Sequence, residues 1–581
     1  MSRSRRESEV GRGLRSAPSA PAAKGLAALP LRRPPSVLRL LPVLWLLPSV
    51  LWLLPACSKQ DTAIPASAEK LLRLSQRNEP ATLDPHLATL PDEFFVARAL
   101  LEGLTAPNPA EGPPLPGVAS RWEASPDGLR WTFHLRPDAK WSNGDAVTAR
   151  DFLFSFQRAL TPALAAPKAQ LFLPVKNAAA FYRGTLADFA QVGFSAPDDH
   201  TLVVALEKPC AYLPALAASG AWLPVHRATL EKSGGAAARD GAWTRPGRFV
   251  GNGPFVLTEW RKDQHLAAIP NPHYHSAARV RVRGLRFQVY DSGDTEERAF
   301  RAGQVDVTLA VPFTKLGAYA PPILRRQPLH ETRYFALNTT RPPLDDTRVR
   351  QALSLALDRS ALVASVLRGG QQAALNFVPP GLGGYSGEPR LHEDSAAARR
   401  LLAAAGFPEG RGFPRLELSA WGVNPATLEA VQQMWRRGLG IETAIVQREG
   451  KVHMASVLAG DFAIALMPAI PDYDDPSALF NEWLGDAPGN FSRWANGRFD
   501  RLVREAGRTP DTARRNTLYR EAEAILLAEL PMLPLYFNAQ DYLLTPRVRG
   551  WRQDALWNRF YLDVTLSNER PAPTRRLRAQ N

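Results

Sequence analysis

Cysteine and methionine are scarce in this chain of 581 residues, which contains two Cys and five Met. Two cysteines are too few for a disulfide framework or for the four ligands of a zinc ribbon. The apolar run Leu40–Pro55 is shorter than the ~20 residues that a membrane-spanning helix needs, and prolines interrupt it. The sequence therefore excludes a small disulfide-rich protein and does not indicate a membrane span at this run.

Known catalytic signatures are also missing from the sequence. It has no Gly-x-Ser-x-Gly elbow, no phosphate-binding Gly-rich loop ending in Lys-Ser/Thr, and no His-Glu-x-x-His motif. Cys210 lies in an apolar stretch, which favours a buried structural thiol over a nucleophile. We therefore predict that the protein is not an enzyme.

Two groups of side chains are candidate metal ligands. His273 and His275 offer two nitrogens, but no third ligand is evident nearby, so a pair of loop histidines is the preferred interpretation. Asp472, Asp474 and Asp475 offer carboxylates without the alternating twelve-residue loop of a calcium site. The sequence predicts neither a metal nor a cofactor.

The net charge of +15 is concentrated at the two ends of the chain. Residues 1–56 carry +7, and the last stretch from Arg570 to Asn581 adds four arginines, which leaves +4 for the body. A body of this size with so small an excess of positive charge does not indicate a nucleic-acid partner.

The N-terminal region has the order of an export signal. Arg32, Arg33 and Arg39 precede the apolar run, which ends in Leu-Pro-Ala before Cys57 and a polar segment. This ending resembles a bacterial lipobox, which implies diacylglycerol on the Cys57 sulfur and cleavage before it. The alternatives are an ordinary signal peptide or a membrane anchor. The first 35 residues are long for a signal, and a start codon assigned too early would explain them.

The body of the chain mixes strand and helix patterns. Alternation of apolar and polar residues predicts a strand over Trp131–Arg136, and helical spacing predicts a helix over Ala149–Leu160 with Thr148 as its N-cap. A second helix is expected from Asp394 to Ala405. Beyond it, residues 416–420, 425–438 and 442–447 have the order strand, helix, strand of a βαβ unit. These patterns predict a large mixed α/β protein with two or three lobes.

Short motifs in a fixed order carry a family resemblance. The longest is Asp127–Asp145, DGLRWTFHLRPDAKWSNGD. The others, in chain order, are Leu83–His86, Glu102–Leu104, Pro116–Glu123, Val147–Phe152, Asn252–Phe255, Trp260, Gly303–Asp306, Phe335–Asn338, Pro342–Leu353, Leu401–Pro408, Asp472–Tyr473, Asp475–Pro476 and Pro534–Tyr536. Together they resemble the periplasmic oligopeptide-binding proteins of the dipeptide/oligopeptide/nickel-type solute-binding family (family 5).

Locally, several of these motifs have simpler interpretations. Asp127-Gly128 and Asn143-Gly144 are turn dipeptides, and Trp122, Trp131 and Trp141 are expected to pack in the core rather than to stack on a ligand. The resemblance therefore indicates the fold, and the binding site has to be sought elsewhere.

The resemblance implies a periplasmic-binding-protein-like Venus flytrap of type II, with two α/β lobes and an extra domain. The domains it implies are lobe I (71–101, 226–330 and 541–568), the extra domain (102–225) and lobe II (331–540). They follow a lipoprotein signal peptide (1–56) and the lipidated Cys57 with its tether (57–70), and they precede a basic tail (569–581).

In peptide-binding relatives, the aspartate of an Asp-Tyr-x-x-Pro segment pairs with the α-ammonium of the ligand. Asp472 and Tyr473 match that segment and are the predicted ligand-binding residues. Two features depart from the family pattern. Met467–Pro471 replaces the aromatic and small residues that usually precede the aspartate, and the basic residues that hold a peptide C-terminus have no clear counterpart. Asp472, Asp474 or Asp475 could instead cap a helix near Pro476.

The implied function is that of a monomeric lipoprotein in the periplasm or cell envelope, anchored to the membrane through Cys57. It would capture peptides between the lobes and deliver them to an ABC permease complex in the inner membrane. The alternatives are a ligand sensor, or a binding protein for a non-peptide solute, on the same fold; an envelope chaperone or hydrolase is a more distant possibility.

Overall fold

The structure is a computed structural model that describes residues 71–239, 241–422 and 425–567. These residues belong to one compact unit of the chain, Ile64–Asn581. The predicted signal peptide, Cys57 with its tether and the basic tail 569–581 lie outside the described residues. Within the described part of the chain, no helix combines the length and the apolar character needed to cross a membrane.

Strands occur along the whole of the described chain, from Leu71 to Leu566. In chain order the strands are β1 (Leu71–Gln76), β2 (Thr105–Ala106), β3 (Leu115–Pro116), β4 (Ala119–Ala124), β5 (Arg130–Leu135), β6 (Phe194–Asp198), β7 (Thr201–Ala205), β8 (Phe255–Arg261), β9 (His265–Pro270), β10 (Gly284–Val289), β11 (Leu324–Leu337), β12 (Gln372–Ala373), β13 (Leu416–Ala420), β14 (Thr443–Gln447), β15 (Ile464–Ala469), β16 (Met532–Leu543), β17 (Val548–Arg549), β18 (Arg552–Gln553), β19 (Arg559–Phe560) and β20 (Thr565–Leu566).

Helices alternate with these strands. In chain order the α-helices are α1 (Pro91–Leu100), α2 (Ala149–Leu160), α3 (Ala178–Tyr182), α4 (Leu213–Ala217), α5 (Arg227–Glu231), α6 (Gly293–Arg301), α7 (Thr347–Leu355), α8 (Arg359–Ala361), α9 (Ser395–Ala404), α10 (Pro425–Leu439), α11 (Gly450–Ala459), α12 (Ser477–Phe480), α13 (Gly497–Arg508) and α14 (Thr512–Glu529).

The elements predicted from local sequence patterns are confirmed. Helix α2 has the predicted bounds, and its first turn is closed by Asp151, whose carboxylate accepts hydrogen bonds from the Thr148 backbone and hydroxyl. Asp394 caps α9 by accepting a hydrogen bond from the Ala397 N–H at 2.8 Å. Strands β13 and β14 run parallel on either side of α10 in the sequence, so the βαβ unit is present. The mixed α/β character of the body follows from such units.

Three larger sheets organise the structure. One has the strand order β1-β10-β9-β8, and an antiparallel one has the order β4-β5-β7-β6. The third has six strands in the order β12-β16-β11-β15-β13-β14. The predicted lobe borders at 330/331 and 540/541 fall inside the long paired strands β11 and β16. The division into domains stays a prediction, although the first two sheets lie within predicted lobe I and the predicted extra domain.

Apolar side chains form two large cores. One is continuous through the sheets of predicted lobe I and the predicted extra domain, and the other surrounds the six-stranded sheet. Trp141 is fully buried in the first core, and Trp122 and Trp131 are half-buried against it, as predicted for packing residues. Tyr473 belongs to the first core, although its segment continues from a strand of the six-stranded sheet. This tyrosine therefore links predicted lobe II to the predicted extra domain, where its ring stacks on Tyr212.

Two of the family-like motifs meet where Asn252 contacts Glu102. The Asn252 side chain accepts a hydrogen bond from the Glu102 N–H at 2.9 Å and donates one to the Glu102 carbonyl at 2.8 Å. Gly253 lies so close to helix α1 that a Cβ there would be 2.5 Å from the Leu100 carbonyl carbon. Glycine is thus required at position 253 by the close approach of two backbones, and Asn252 holds the same two segments together through its hydrogen bonds.

Gly253→Ala should lower the free energy of unfolding by about 1–3 kcal/mol, the usual cost of forcing an extra methyl group into a packed region. Chemical denaturation measures the loss. Gly317→Ala is the matched control, because a Cβ at Gly317 has no atom within 4 Å, and its stability should change by less than about 0.5 kcal/mol. Equal stability of the two variants would show that the backbone at Gly253 moves away without cost.

Candidate functional site

A cavity of about 270 Å³, here called the cleft cavity, lies between segments of all three predicted domains. Its lining residues are Thr89–Pro91, Phe94, Phe95, Arg98 and Leu556–Arg559 from predicted lobe I, Lys168, Leu171, Gly220 and Ala221 from the predicted extra domain, and Pro468, Ile470–Asp472 and Glu482 from predicted lobe II. A smaller cavity of about 30 Å³ shares Arg98, Asp472, Leu556 and Asn558 with it. Concave sites between domains are common positions for small-molecule ligands.

Asp472 reaches the cleft cavity because it follows the end of β15, a strand in the middle of the six-stranded sheet. Its carboxylate forms an ion pair with the Lys168 ammonium of the predicted extra domain. The Lys168 Nζ also lies 5.7 Å from the centre of the Phe94 ring. A carboxylate that faces the cavity is thus already paired with a primary ammonium.

Tyr473 is buried, and its contacts hold the segment that carries Asp472 in place. Its ring stacks on Tyr212 with centroids 5.4 Å apart and planes 12° apart, and its hydroxyl is 3.0 Å from the Ser477 hydroxyl. Tyr473 lines the smaller cavity, whereas Asp472 lines both cavities. The structure therefore brings the two predicted ligand-binding residues together, and their binding role stays a prediction.

The neighbouring aspartates point to other partners. Asp474 accepts a hydrogen bond from the Gly383 N–H at 2.6 Å. Asp475 accepts one from the Ser477 N–H at 2.9 Å, at the start of α12, and lies 3.3 Å from the Arg515 guanidinium. The aspartate that accepts a hydrogen bond at the start of α12 is thus Asp475, whereas the N-cap of that helix is Pro476. Among the described residues, no group of three or more His, Cys, Asp or Glu side chains could hold a metal ion.

Cys210 and His275 lie in structural positions, the first buried and the second in contact with Glu102. Cys210 is buried, as predicted, and its burial raises the pKa of the thiol to about 12. The His275 Nε2 lies 2.7 Å from one Glu102 oxygen, and the Tyr274 hydroxyl donates to the other at 2.6 Å. These contacts make His275 part of a polar network with Glu102 and Tyr274.

Glu482 is a residue of the cleft cavity that the sequence did not reveal. Burial, aided by the negative charge of Asp472 and opposed by Lys168, raises the pKa of its carboxyl to about 8. Glu482 lies ten positions beyond Asp472 and carries no motif. Its proximity to Asp472 and Lys168 depends on how the segment folds after α12.

Arg98 and Arg559 line the cleft cavity on the side of predicted lobe I. They were also missed, because Arg98 belongs to α1 and Arg559 to β19 near the other end of the chain. The cavity wall therefore contains two carboxyl groups, those of Asp472 and Glu482, and two guanidinium groups. Such a site is suited to a small ligand with charges of both signs.

Known bacterial binding proteins resemble this chain in sequence and in fold. Residues 113–491 match the family model described as bacterial extracellular solute-binding proteins, family 5, middle. The Escherichia coli periplasmic murein peptide-binding protein MppA is 33% identical over 82% of this chain and 89% of its own length. The E. coli probable deoxycholate-binding periplasmic protein YgiS is 31% identical over 88% and 96%. The E. coli periplasmic oligopeptide-binding protein OppA is 31% identical over 84% and 90%.

A solved structure of E. coli MppA superposes with a TM-score of 0.75 at 31% identity, and the match covers 86% of this chain and 98% of that one. This likeness, with the mixed α/β sheets, confirms the predicted Venus-flytrap fold class. Because the family model spans more than half of the chain and the curated relatives match nearly end to end, the chain belongs to the bacterial extracellular solute-binding proteins of family 5.

Proposed function

We propose that this protein is the extracytoplasmic binding component of an ABC importer, which captures peptides in the cleft cavity and delivers them to a permease complex in the inner membrane. The observation that carries the proposal is the Asp472–Lys168 ion pair in the cavity wall. It presents a carboxylate, already binding an ammonium, between segments of the three predicted domains. MppA and OppA, two relatives of this chain, are named for peptide binding.

The chemistry of a peptide's backbone explains why a carboxylate belongs there. The α-ammonium loses water when it enters a closed cavity, and a buried unpaired charge costs several kcal/mol. A carboxylate offsets this cost through charge-assisted hydrogen bonds. In this proposal the ligand ammonium replaces Lys168 at Asp472, while Tyr473, held by Tyr212, fixes the segment that presents the carboxylate.

Calorimetry with the purified protein tests the proposal. Any co-purified ligand is first identified by mass spectrometry, and the protein is then titrated with a free-amine peptide, its N-acetyl form and deoxycholate. Tight binding of the free-amine peptide alone is the expected result. Binding of deoxycholate without any peptide would favour the non-peptide alternative, which the name of YgiS keeps open.

The proposed anchor is the Cys57 sulfur. Several acyl chains hold a protein at a membrane stably, whereas charge attraction is lost in high salt. In a bacterial host the protein should therefore stay in the membrane fraction through a high-salt wash, and Cys57→Ala should block lipidation and normal processing. Immunoblots of the washed fractions measure both. Release of the unaltered protein by salt would show that charge, and not lipid, holds it.

Glu482 should make the stability of the ligand-free protein depend on pH. Its pKa of about 8 in the folded state is above the ordinary carboxyl value, so the folded state binds the proton more tightly than the unfolded chain. The resulting stabilisation is complete below the ordinary pKa of ~4.3 and is lost as the pH rises through about 8.

Glu482→Gln should therefore flatten the decline in stability between pH 5 and pH 8, as measured by denaturant melts at both values. The same change at Glu429, an exposed residue of α10, is the matched control and should leave the decline unaltered. If Glu482→Gln shows the same decline as the unaltered protein, other groups cause it.

A further inference from the structure

Exposed arginines are concentrated on one side of predicted lobe I. The side chains of this group, here called the basic face, are those of Arg279, Arg281, Arg283, Arg549 and Arg552, and all of them are exposed. Val282, which lies between two of them in the sequence, is 3% exposed and belongs to the first core. The basic face therefore lies on the outer side of that core.

Asp563 brings three segments of the basic face together. Its backbone N–H donates a hydrogen bond to the Arg279 carbonyl at 2.9 Å, and a Cβ at Gly550 would lie 2.6 Å from its carbonyl oxygen. The hydrogen bond from the Arg279 guanidinium lowers the pKa of the Asp563 carboxyl, and the charges of Arg281 and Arg552 also lower it. One carboxylate thus lies among three guanidinium groups.

The basic face has more positive charge than its acidic neighbours neutralise. Arg281, Arg283 and Arg552 form no ion pair with a carboxylate of the described residues. Asp306, an acidic residue close to this side, is fully buried and is already paired with Arg547 at 2.8 Å. Exposed charges of one sign without counter-charges attract a partner of the opposite sign.

Both ends of the described chain lie beside the basic face. Leu71, the first described residue, pairs with Gly284, the neighbour of Arg283, and its carbonyl accepts a hydrogen bond from the Arg547 Nη2 at 2.9 Å. Ser567, the last described residue, donates its backbone N–H to the Arg547 carbonyl at 2.8 Å. The predicted tether therefore joins the body, and the predicted basic tail follows it, at this side of lobe I.

The length of the tether limits which side of the body can meet the bilayer. Residues 57–70 span at most about 50 Å when fully extended. Acyl chains on Cys57 would therefore keep the side around Leu71 near the lipid headgroups. The last stretch, from Arg570 to Asn581, adds four more arginines to the same end of the chain. An acyl anchor and a basic patch are two signals that together hold a protein at a membrane.

We propose that the basic face docks on the anionic surface of the membrane to which the protein is anchored, with its arginines against the phosphate groups of phospholipids. A guanidinium binds phosphate oxygens through parallel hydrogen bonds, and anionic lipids attract basic residues that lie close to the bilayer. The proposal goes beyond the proposed function, because it concerns the side of lobe I where the chain ends meet and not the cleft cavity. The acyl chains hold the protein, and the basic face orients it.

Vesicle co-sedimentation tests the basic face without the anchor. The chain from Ser58 to Asn581 contains the whole compact unit and lacks the cysteine that would be lipidated. It should bind vesicles made of equal parts of phosphatidylglycerol and phosphatidylcholine at least about tenfold more tightly than vesicles of phosphatidylcholine alone. High salt should release it, because salt screens exposed charges.

Arg281→Gln combined with Arg283→Gln should weaken binding to the mixed vesicles about 25-fold. This is about fivefold for each side chain, the factor that corresponds to about 1 kcal/mol for a basic residue near an anionic surface. Arg400→Gln combined with Arg437→Gln is the matched control, because it removes the same charge from exposed positions of α9 and α10 and should bind like the unaltered protein. Melting curves of both double variants monitor folding.

The contrary outcomes are distinct. Equal binding to the two kinds of vesicle, or binding to neither, overturns the proposal, and in the second case an acidic protein surface becomes the partner to test. Undiminished binding by the Arg281 and Arg283 double variant assigns the attraction to the basic tail and overturns the role of the face. An equal loss in the control variant overturns it as well, because net charge then controls binding. None of these outcomes bears on peptide capture or on lipidation of Cys57, which are measured separately.

Discussion

Asp472→Asn should lower the affinity for a free-amine peptide by about 2–5 kcal/mol, which is roughly 30-fold to several thousand-fold in Kd. The amide keeps the shape of the side chain but removes the negative charge that faces the ligand ammonium. The melting temperature of the ligand-free protein should change little, because Asp472 is 30% exposed in its ion pair with Lys168. Isothermal titration of the variant and the unaltered protein measures the difference in affinity.

Lys168→Met is the sharpest control for this prediction. Both variants break the Asp472–Lys168 ion pair, but only Asp472→Asn removes the acceptor for the ligand. Lys168→Met should therefore retain the affinity or increase it, because the competing ammonium is gone. Asp461→Asn, an exposed aspartate paired with Arg341, should have no effect. Equal affinity of the unaltered protein for a peptide and its N-acetyl form would contradict the assignment.

Asp84→Asn should destabilise the folded protein by about 3–5 kcal/mol, because it leaves an uncompensated buried charge. The Asp84 carboxylate binds both Nη atoms of Arg158, and the two side chains are 1% and 0% exposed. His86 cannot replace the lost charge. It lies 2.8 Å from Arg158, and burial, aided by that guanidinium, lowers the pKa of His86 to about 3, so the ring is neutral.

Asp563→Asn provides the comparison for an exposed pair. Asp563 and Arg279 are both more than half exposed, so their ion pair should contribute at most about 1 kcal/mol. Urea denaturation of the two variants and the unaltered protein gives the free energies of unfolding. If Asp84→Asn costs no more than Asp563→Asn, water or a shift of the chain compensates Arg158, and the contact between predicted lobe I and the extra domain is weaker than its geometry indicates.

Local sequence patterns predicted local structure well, since the interactions that set it lie within a few residues. Helix α2 begins at the predicted residue because Asp151 is one turn beyond Thr148 and can close the first turn. The turn glycines Gly128 and Gly144 have positive φ angles of 67° and 96°, as the dipeptides predicted. The ordered motifs predicted the fold class, because they include positions where two backbones approach closely, such as Gly253 and Leu100.

The sequence by itself determined the α/β elements, the family and the choice of Asp472 as the candidate acceptor. Only the tertiary structure decided which groups surround that acceptor. Lys168 lies 304 positions from Asp472, and Arg98 and Arg559 are brought together from opposite ends of the described chain. Spacing along a sequence reports neighbours within one helix or strand. The packing of distant segments decides which charged groups meet across a cavity, and no local sequence pattern encodes that packing.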